Sequence, residues 1–196
     1  MAVSEVQIAN LALARIGVNR FIASLSEASI EAVTCNLCLP LARDATLRDV
    51  AWAFADTWAD LQLVTEQPNS EWGYAYRVPS DSMRVRRVPL GAARGDSAPF
   101  ALSSDTGGGL ILTDQYPATI VYTRRIEDPS LFPADFVMAL SWRLAMEIGA
   151  SLSQVAAIRD RAEGGYKDAL SKARVADANE QTADAPPESS FIQARS

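Results

Sequence analysis

Apolar and polar residues follow two rhythms along this chain, helical near both ends and extended in the middle. From Ser4 onward, Val6, Ala9, Leu13 and Ile16 recur at helical spacing, widened by Ile8 and Leu11, and Ser4 can cap the run. Gly17 suits the left-handed residue that closes a helix. The connection from Val18 to Leu25 carries Phe21 and Ile22 and is predicted to pack back onto that helix. A second helix begins near Ser26 or Ser29, with Ile30, Val33, Leu37 and Leu41 as the apolar stripe expected to bury. Pro40 lies inside it and predicts a kink or a break, after which the pattern resumes to about Val50. Within Pro40 to Ala55, PLARDATLRDVAWAFA, helix gives way to strand.

From Trp52 to Tyr122 the pattern is extended. Candidate strands are Trp52–Val64, Tyr74–Val78, Met83–Val88, Phe100–Leu102, Leu110–Thr113 and Thr119–Thr123, separated by clusters of turn-forming residues. Strands this short and regularly spaced predict a small antiparallel sheet or partly closed barrel.

Helix returns after Asp128-Pro129 and Phe132-Pro133. Ala134 to Leu152 is apolar over most of its circumference, as a helix at the centre of its layer must be. The last helix, Ser153 to about Ala178, carries a stripe of Val155, Ile158, Ala162, Tyr166, Ala169, Leu170 and Ala173. Gly164-Gly165 interrupts it at roughly 1 kcal/mol per glycine, which predicts a bend or a close backbone contact. After Asn179 the segment EQTADAPPESSFIQARS is too poor in apolar residues to fold alone, yet bears Phe191-Ile192 near its end. The expected fold is therefore α+β: a four-helix bundle with a β-rich subdomain, antiparallel sheet or small barrel, inserted between helices 2 and 3, plus an extended C-terminal arm. The bundle takes residues 1–51 and 128–178, the subdomain 52–127 and the arm 179–196. No internal repeat is visible.

Composition narrows the chemistry. At 196 residues and 48% hydrophobic content the chain can bury a full core. Asp and Glu number 24 against 18 Lys and Arg, and this acidity argues against broad nucleic-acid binding. No window reaches about 18 uninterrupted apolar residues, so no membrane anchor is expected, and the N-terminus reads as a helix and not a leader. Histidine is absent, which removes the commonest proton-transfer group and excludes Ser-His-Asp and Cys-His catalysis.

Each remaining candidate weighs toward structure. Cys35 and Cys38 form C-x-x-C inside a helical pattern with no second pair, so two small buried side chains outweigh a redox or zinc site. Asp105 to Gly109, DTGGG, lacks the following Lys-Ser/Thr and helix of a phosphate loop and reads as a hairpin turn. Asp44/Asp49 and Asp56/Asp60 could be imagined as paired glycosidase acids, but solvated or salt-bridged surface is their default. Arg84, Arg86 and Arg87 on one strand point to a subunit contact or a solvated face before nucleic acid. Trp52, Phe54 and Trp58 are expected in the core; Trp72 is less so.

Four segments in order resemble the head-to-tail adaptor proteins of tailed bacteriophages, the tail tubular protein A family. They are IANLALARIGVNRFIASLSE; PLARDATLRDVAWAFA with its Arg-Asp and Trp-x-Phe-Ala; EWGYAYRVPSDSMRVRRV; and YPATIVYTRRIEDPSLFPADFVMALSWRLAMEIG. Leu90 to Gly109 carries no such signature. The resemblance implies a structural virion protein, not an enzyme, needing no cofactor or metal. Its copies would form a dodecameric ring between the portal protein and the tail nozzle or another tail component. Genome DNA would pass through the lumen without sequence-specific binding. It places the protein in the virion tail or neck, after assembly in the host cytoplasm. It also implies that the arm, through Phe191, Ile192 and Arg195, docks on the portal, with Arg84, Arg86, Arg87 and Trp72 as candidates for the subunit or tail interface. The alternatives are a virion-associated cell-wall hydrolase and a DNA-binding regulator.

Overall fold

The structure is a computed structural model and describes residues 3–91, 96–153 and 156–180. Helix α1, Glu5–Arg15, starts in a reciprocal capping box: Gln7 N–H donates to Ser4 Oγ (3.2 Å) and Ser4 N–H to Gln7 Oε1 (2.9 Å). Gly17, at φ +79°, turns the chain out of it. Helix α2, Ile30–Asp49, is capped by Ser29, whose Oγ accepts from Ala32 N–H. It remains helical through Pro40, so the predicted break does not occur. Helices α3, Ala134–Leu152, and α4, Ala156–Glu180, complete the helical layer.

Among the described residues, eight strands lie between α2 and α3: β1 Asp56–Asp60, β2 Leu63–Glu66, β3 Tyr74–Arg77, β4 Ser82–Pro89, β5 Ser97–Ala98, β6 Phe100–Asp105, β7 Gly108–Thr113 and β8 Thr119–Arg124. They form two antiparallel sheets of four, in the orders β1-β8-β4-β5 and β2-β3-β7-β6. Pairing of Asp56 with Thr123 and Asp60 with Thr119 sets the register of β1 on β8, beside the helical layer. Val88, Ala98, Ile120 and Tyr122 from one sheet meet Ile111 from the other in a second apolar core.

This architecture corrects the fold expected from sequence in two ways. The middle of the chain is neither one small sheet nor a barrel, but two open sheets, each with two edge strands. The switch lies at Leu61-Gln62: the expected single strand Trp52–Val64 is a short 3-10 turn at Ala53–Ala55, then β1 in one sheet and β2 in the other. A continuous run of apolar and small residues does not reveal where a chain leaves one sheet for another. The helices also do not close into a four-membered bundle. α1, α2 and α4 each pack on α3, while α1 and α2 barely touch. α3 is the hub, with Phe136, Ala139, Leu140, Leu144, Ala145 and Ile148 all fully or almost fully buried.

The segments quoted for the phage-adaptor resemblance supply the joints between these layers. Asp44 accepts from Arg43 Nε (2.9 Å) and pairs with Arg125 (3.0 Å) just past β8. Buried Trp52 donates its indole N–H to the Thr46 carbonyl (2.8 Å) and meets Phe136 edge-on, with ring centres 5.0 Å apart. Tyr122 donates to Asp81 (3.1 Å), and Arg125 N–H to the Asp81 carbonyl (2.8 Å), pinning the turn before β4.

Candidate interaction surfaces

Helix α2 shows its most hydrophobic side to solvent. Ile30, Val33, Leu37 and Leu41 are 74, 58, 71 and 69% exposed, while Ala32, Cys35, Leu39, Ala42, Thr46 and Leu47 bury. At about 100° per residue the two sets lie on opposite sides of the helix. The expected buried stripe is therefore the outer one. Small side chains on the inner side let α2 approach α3 closely, and Thr46 satisfies its hydroxyl by donating to the Ala42 carbonyl (2.8 Å). Four large aliphatic side chains aligned on one exposed helix face form the kind of contiguous patch that marks an interaction site.

A second apolar surface lies along α1. Val3, Gln7, Asn10, Leu11, Ala14, Phe21 and Val137 line an open groove of about 580 Å³. Asn10 builds its wall: its amide donates to the Ile22 carbonyl and accepts from Ile22 N–H, both at 2.9 Å. That clamp buries Ile22 and leaves Phe21 standing out, 61% exposed. Arg15 locks the other side of α1 to α3, donating to the Met138 carbonyl (2.9 Å) and to Ser141 Oγ, with its guanidinium 4.2 Å from the Trp142 ring centre. Burial pushes its pKa down to about 10, which leaves it charged near neutrality.

The arginines singled out in the sequence divide by role. Arg84 donates to the Arg48 carbonyl (3.1 Å), and Arg86 to the Val50 carbonyl and to Thr123 Oγ1 (2.7 Å). Both satisfy carbonyls that the end of α2 leaves without helical partners, and they tie that end to β4 and β8. Burial lowers the Arg86 pKa. Arg84 is itself exposed, whereas Arg87 is half-buried with its guanidinium 5.2 Å from the ring centre of Trp58, which is 60% exposed and not in the core. Trp72 is half-buried in a turn where its N–H donates to Asn69 Oδ1 (3.0 Å). Phe191, Ile192 and Arg195 lie outside the described residues.

The chemical candidates fall to structural roles. Burial raises the pKa of Cys35 to about 11 and raises that of Cys38, so both stay thiols near neutrality. Asp49 pairs with Arg143 (3.6 Å) and accepts from Tyr166 (2.8 Å); Asp60 accepts from Thr119 (2.9 Å). The DTGGG turn is the β6–β7 hairpin, gripped by Arg77, which donates to both oxygens of Asp105 at 2.7 and 3.0 Å. That pairing occupies, among the described residues, the one cation lining the cleft of about 620 Å³ between the sheets. Among the described residues no group of His, Cys, Asp and Glu could hold a metal ion, and no helix is long and apolar enough to cross a membrane.

Sequence reasoning found the residues of the α2 stripe but put them on the wrong side. The available signal was the competing stripe of small residues, Ala32, Cys35, Ala42 and Thr46, at the same period. No protein-family model and no curated protein matches the chain.

Proposed function

We propose that this protein is a structural virion component, an adaptor whose copies form a ring joining the portal to the tail. The observation that carries the reading is the outward stripe of Ile30, Val33, Leu37 and Leu41, a surface built to be covered by protein. Two further features support it. The quoted segments supply joints between layers and no reactive group, so what they specify is a shape. The acidic balance suits a channel past which DNA slides without binding. On this reading the segment after Asn179, through Phe191, Ile192 and Arg195, docks on the portal, and many weak copies of that contact add into a strong joint by avidity. The protein resides in the tail or neck of the virion.

Native mass spectrometry of the chain mixed with its cognate portal ring, full length and shortened after Ala178, tests this. A stoichiometric complex that needs the tail is expected. No complex with either form overturns portal docking, and cleavage of cell-wall glycan or salt-sensitive DNA binding by the free chain would favour the alternative classes.

A further inference from the structure

We infer that a pocket at the root of the C-terminal arm is the seat of the arm's own apolar pair, Phe191 and Ile192, which fold back into it while the chain is free. The seating stands on this chain alone; its consequence for docking rests on the adaptor reading. The pocket, of about 410 Å³, lies where the link after α2, the first turn of α3 and the last turns of α4 meet. Trp52 and Phe54 form its inner wall, and exposed Ala51, Ala53, Ala134 and Ala176 rim it. Side chains this small leave the hollow open where larger ones would fill it.

The walls set the chemistry of the occupant. Phe54 meets Trp52, Phe132 and Phe136 edge-on, with ring centres 6.3, 6.2 and 5.0 Å away. Those three rings are buried and Phe54 only half-buried, so an incoming phenyl extends an aromatic cluster in the geometry it already uses. Asp135 stands on the rim. Its Oδ1 accepts from Phe136 N–H (2.9 Å), and among the described residues no cation pairs with it. Lys172, which shares a neighbouring hollow with Asp135, is held by Asp168 (2.8 Å). A ring-lined pocket with an unneutralised carboxylate at its edge suits large apolar side chains followed closely by a cation. After Val175 the chain carries that combination once, in Phe191-Ile192 and then Arg195.

Chain length permits the return. Ala176 lines the pocket four residues, about 6 Å, before α4 ends at Glu180. Pro186-Pro187 bars a helix from running on to Phe191. Eleven steps separate Glu180 from Phe191, a reach of up to about 36 Å and several times the way back. A tether this short holds the pair at an effective concentration on the order of millimolar, so even a weak contact is well occupied. The α1 groove, by contrast, is lined by no residue of α4. While Phe191 and Ile192 are stored, the affinity of the arm for a portal falls by the fraction of time it is free.

Two full-length pocket variants test this. Ala176→Glu and Ala134→Glu each put a carboxylate into the rim at an exposed helical position, on different elements, and leave the core untouched. Chymotrypsin cleavage after Phe191 should be about three- to tenfold slower in the wild type than in either variant, with circular dichroism unchanged. Carbon-edited NMR of the dilute wild type should show contacts from the Ile192 methyls to the Trp52 and Phe54 rings, present within one labelled chain and absent between labelled and unlabelled chains. Equal cleavage in all three proteins, or no such contacts, overturns the inference; contacts seen only between chains overturn it too, because the arm then seats in a second copy. Portal affinity should rise about three- to tenfold in both variants. Seating without portal binding by any form leaves the inference and removes the adaptor reading; tail-dependent portal binding without seating does the reverse.

Discussion

Gly165 lies flat against the indole of Trp142: a Cβ built at Gly165 would stand 2.6 Å from Trp142 Cδ2, closer than real contacts allow. The helix α4 backbone thus touches the hub helix directly, the close contact the Gly-Gly pair predicted. Gly164, one residue earlier, is exposed and has nothing within 4 Å of a built Cβ. Neighbouring glycines therefore respond in opposite directions. Gly165→Ala is expected to destabilise by about 1–3 kcal/mol through overpacking, and Gly164→Ala to stabilise by about 0.5–1 kcal/mol through helix propensity. Urea denaturation of the two variants measures both.

The arginines of β4 should separate in the same way. Arg86→Ala strips a partner from the Val50 carbonyl and from Thr123, at a cost of about 1.5–3 kcal/mol for hydrogen bonds from a charged donor. Arg87→Ala removes a half-buried guanidinium from the exposed ring of Trp58, at a cost of about 0.5–1 kcal/mol, and should lower the melting temperature less than Arg86→Ala while altering the emission of Trp58. If Arg86→Ala costs no more than Arg87→Ala, the capping role given to Arg86 is wrong.

The pKa values of Tyr76 and Tyr122 are raised by burial, but alkaline stability should depend most on Tyr166. Burial, then the hydrogen bond it donates to Asp49, raises the Tyr166 pKa well above its ordinary value of 10.0. A folded pKa above the unfolded one means that stability is fully present below about pH 10 and is lost as pH rises toward the folded value. Absorbance titration of tyrosinate should show one phenol ionising last, and Tyr166→Phe should delete that step and flatten the alkaline limb.

In acid the β6–β7 hairpin is the place to look. The hydrogen bonds from Arg77, aided by the Gly107 and Gly108 amides, hold Asp105 at about 2 against an ordinary 3.8. A depressed folded pKa contributes stability that is present above the ordinary value and lost as pH falls through about 2. Carbon-detected NMR titration of the Asp105 carboxyl should report that low midpoint and show it returning upward in Arg77→Ala.

Both thiols should react slowly. With Cys35 pushed to about 11 and Cys38 also raised, thiolate is scarce, and an aromatic disulfide reagent at pH 8 should label Cys38 first and Cys35 only on unfolding. Rapid labelling of both in the native chain would show that the helix opens more readily than its burial implies.

Local chemistry alone determined much of this protein. The Ser4 capping box, Gly17, the apolar circumference of α3, the turn residues between β strands and the hairpin at DTGGG are each written within a few neighbouring residues, because caps, turns and all-round burial depend on short-range sterics and hydrogen bonds. Which of two apolar faces of α2 turns inward is not local. Ile30, Val33, Leu37 and Leu41 outweigh Ala32, Cys35, Ala42 and Thr46 in hydrophobicity, yet the small set faces α3, because close helix packing selects the face that fits. The split into two sheets at Leu61-Gln62 and the use of Arg84 and Arg86 to finish a distant helix likewise depend on residues far apart in the chain meeting in space. Those pairings, and with them the outward apolar ridge, exist only once the tertiary structure has formed.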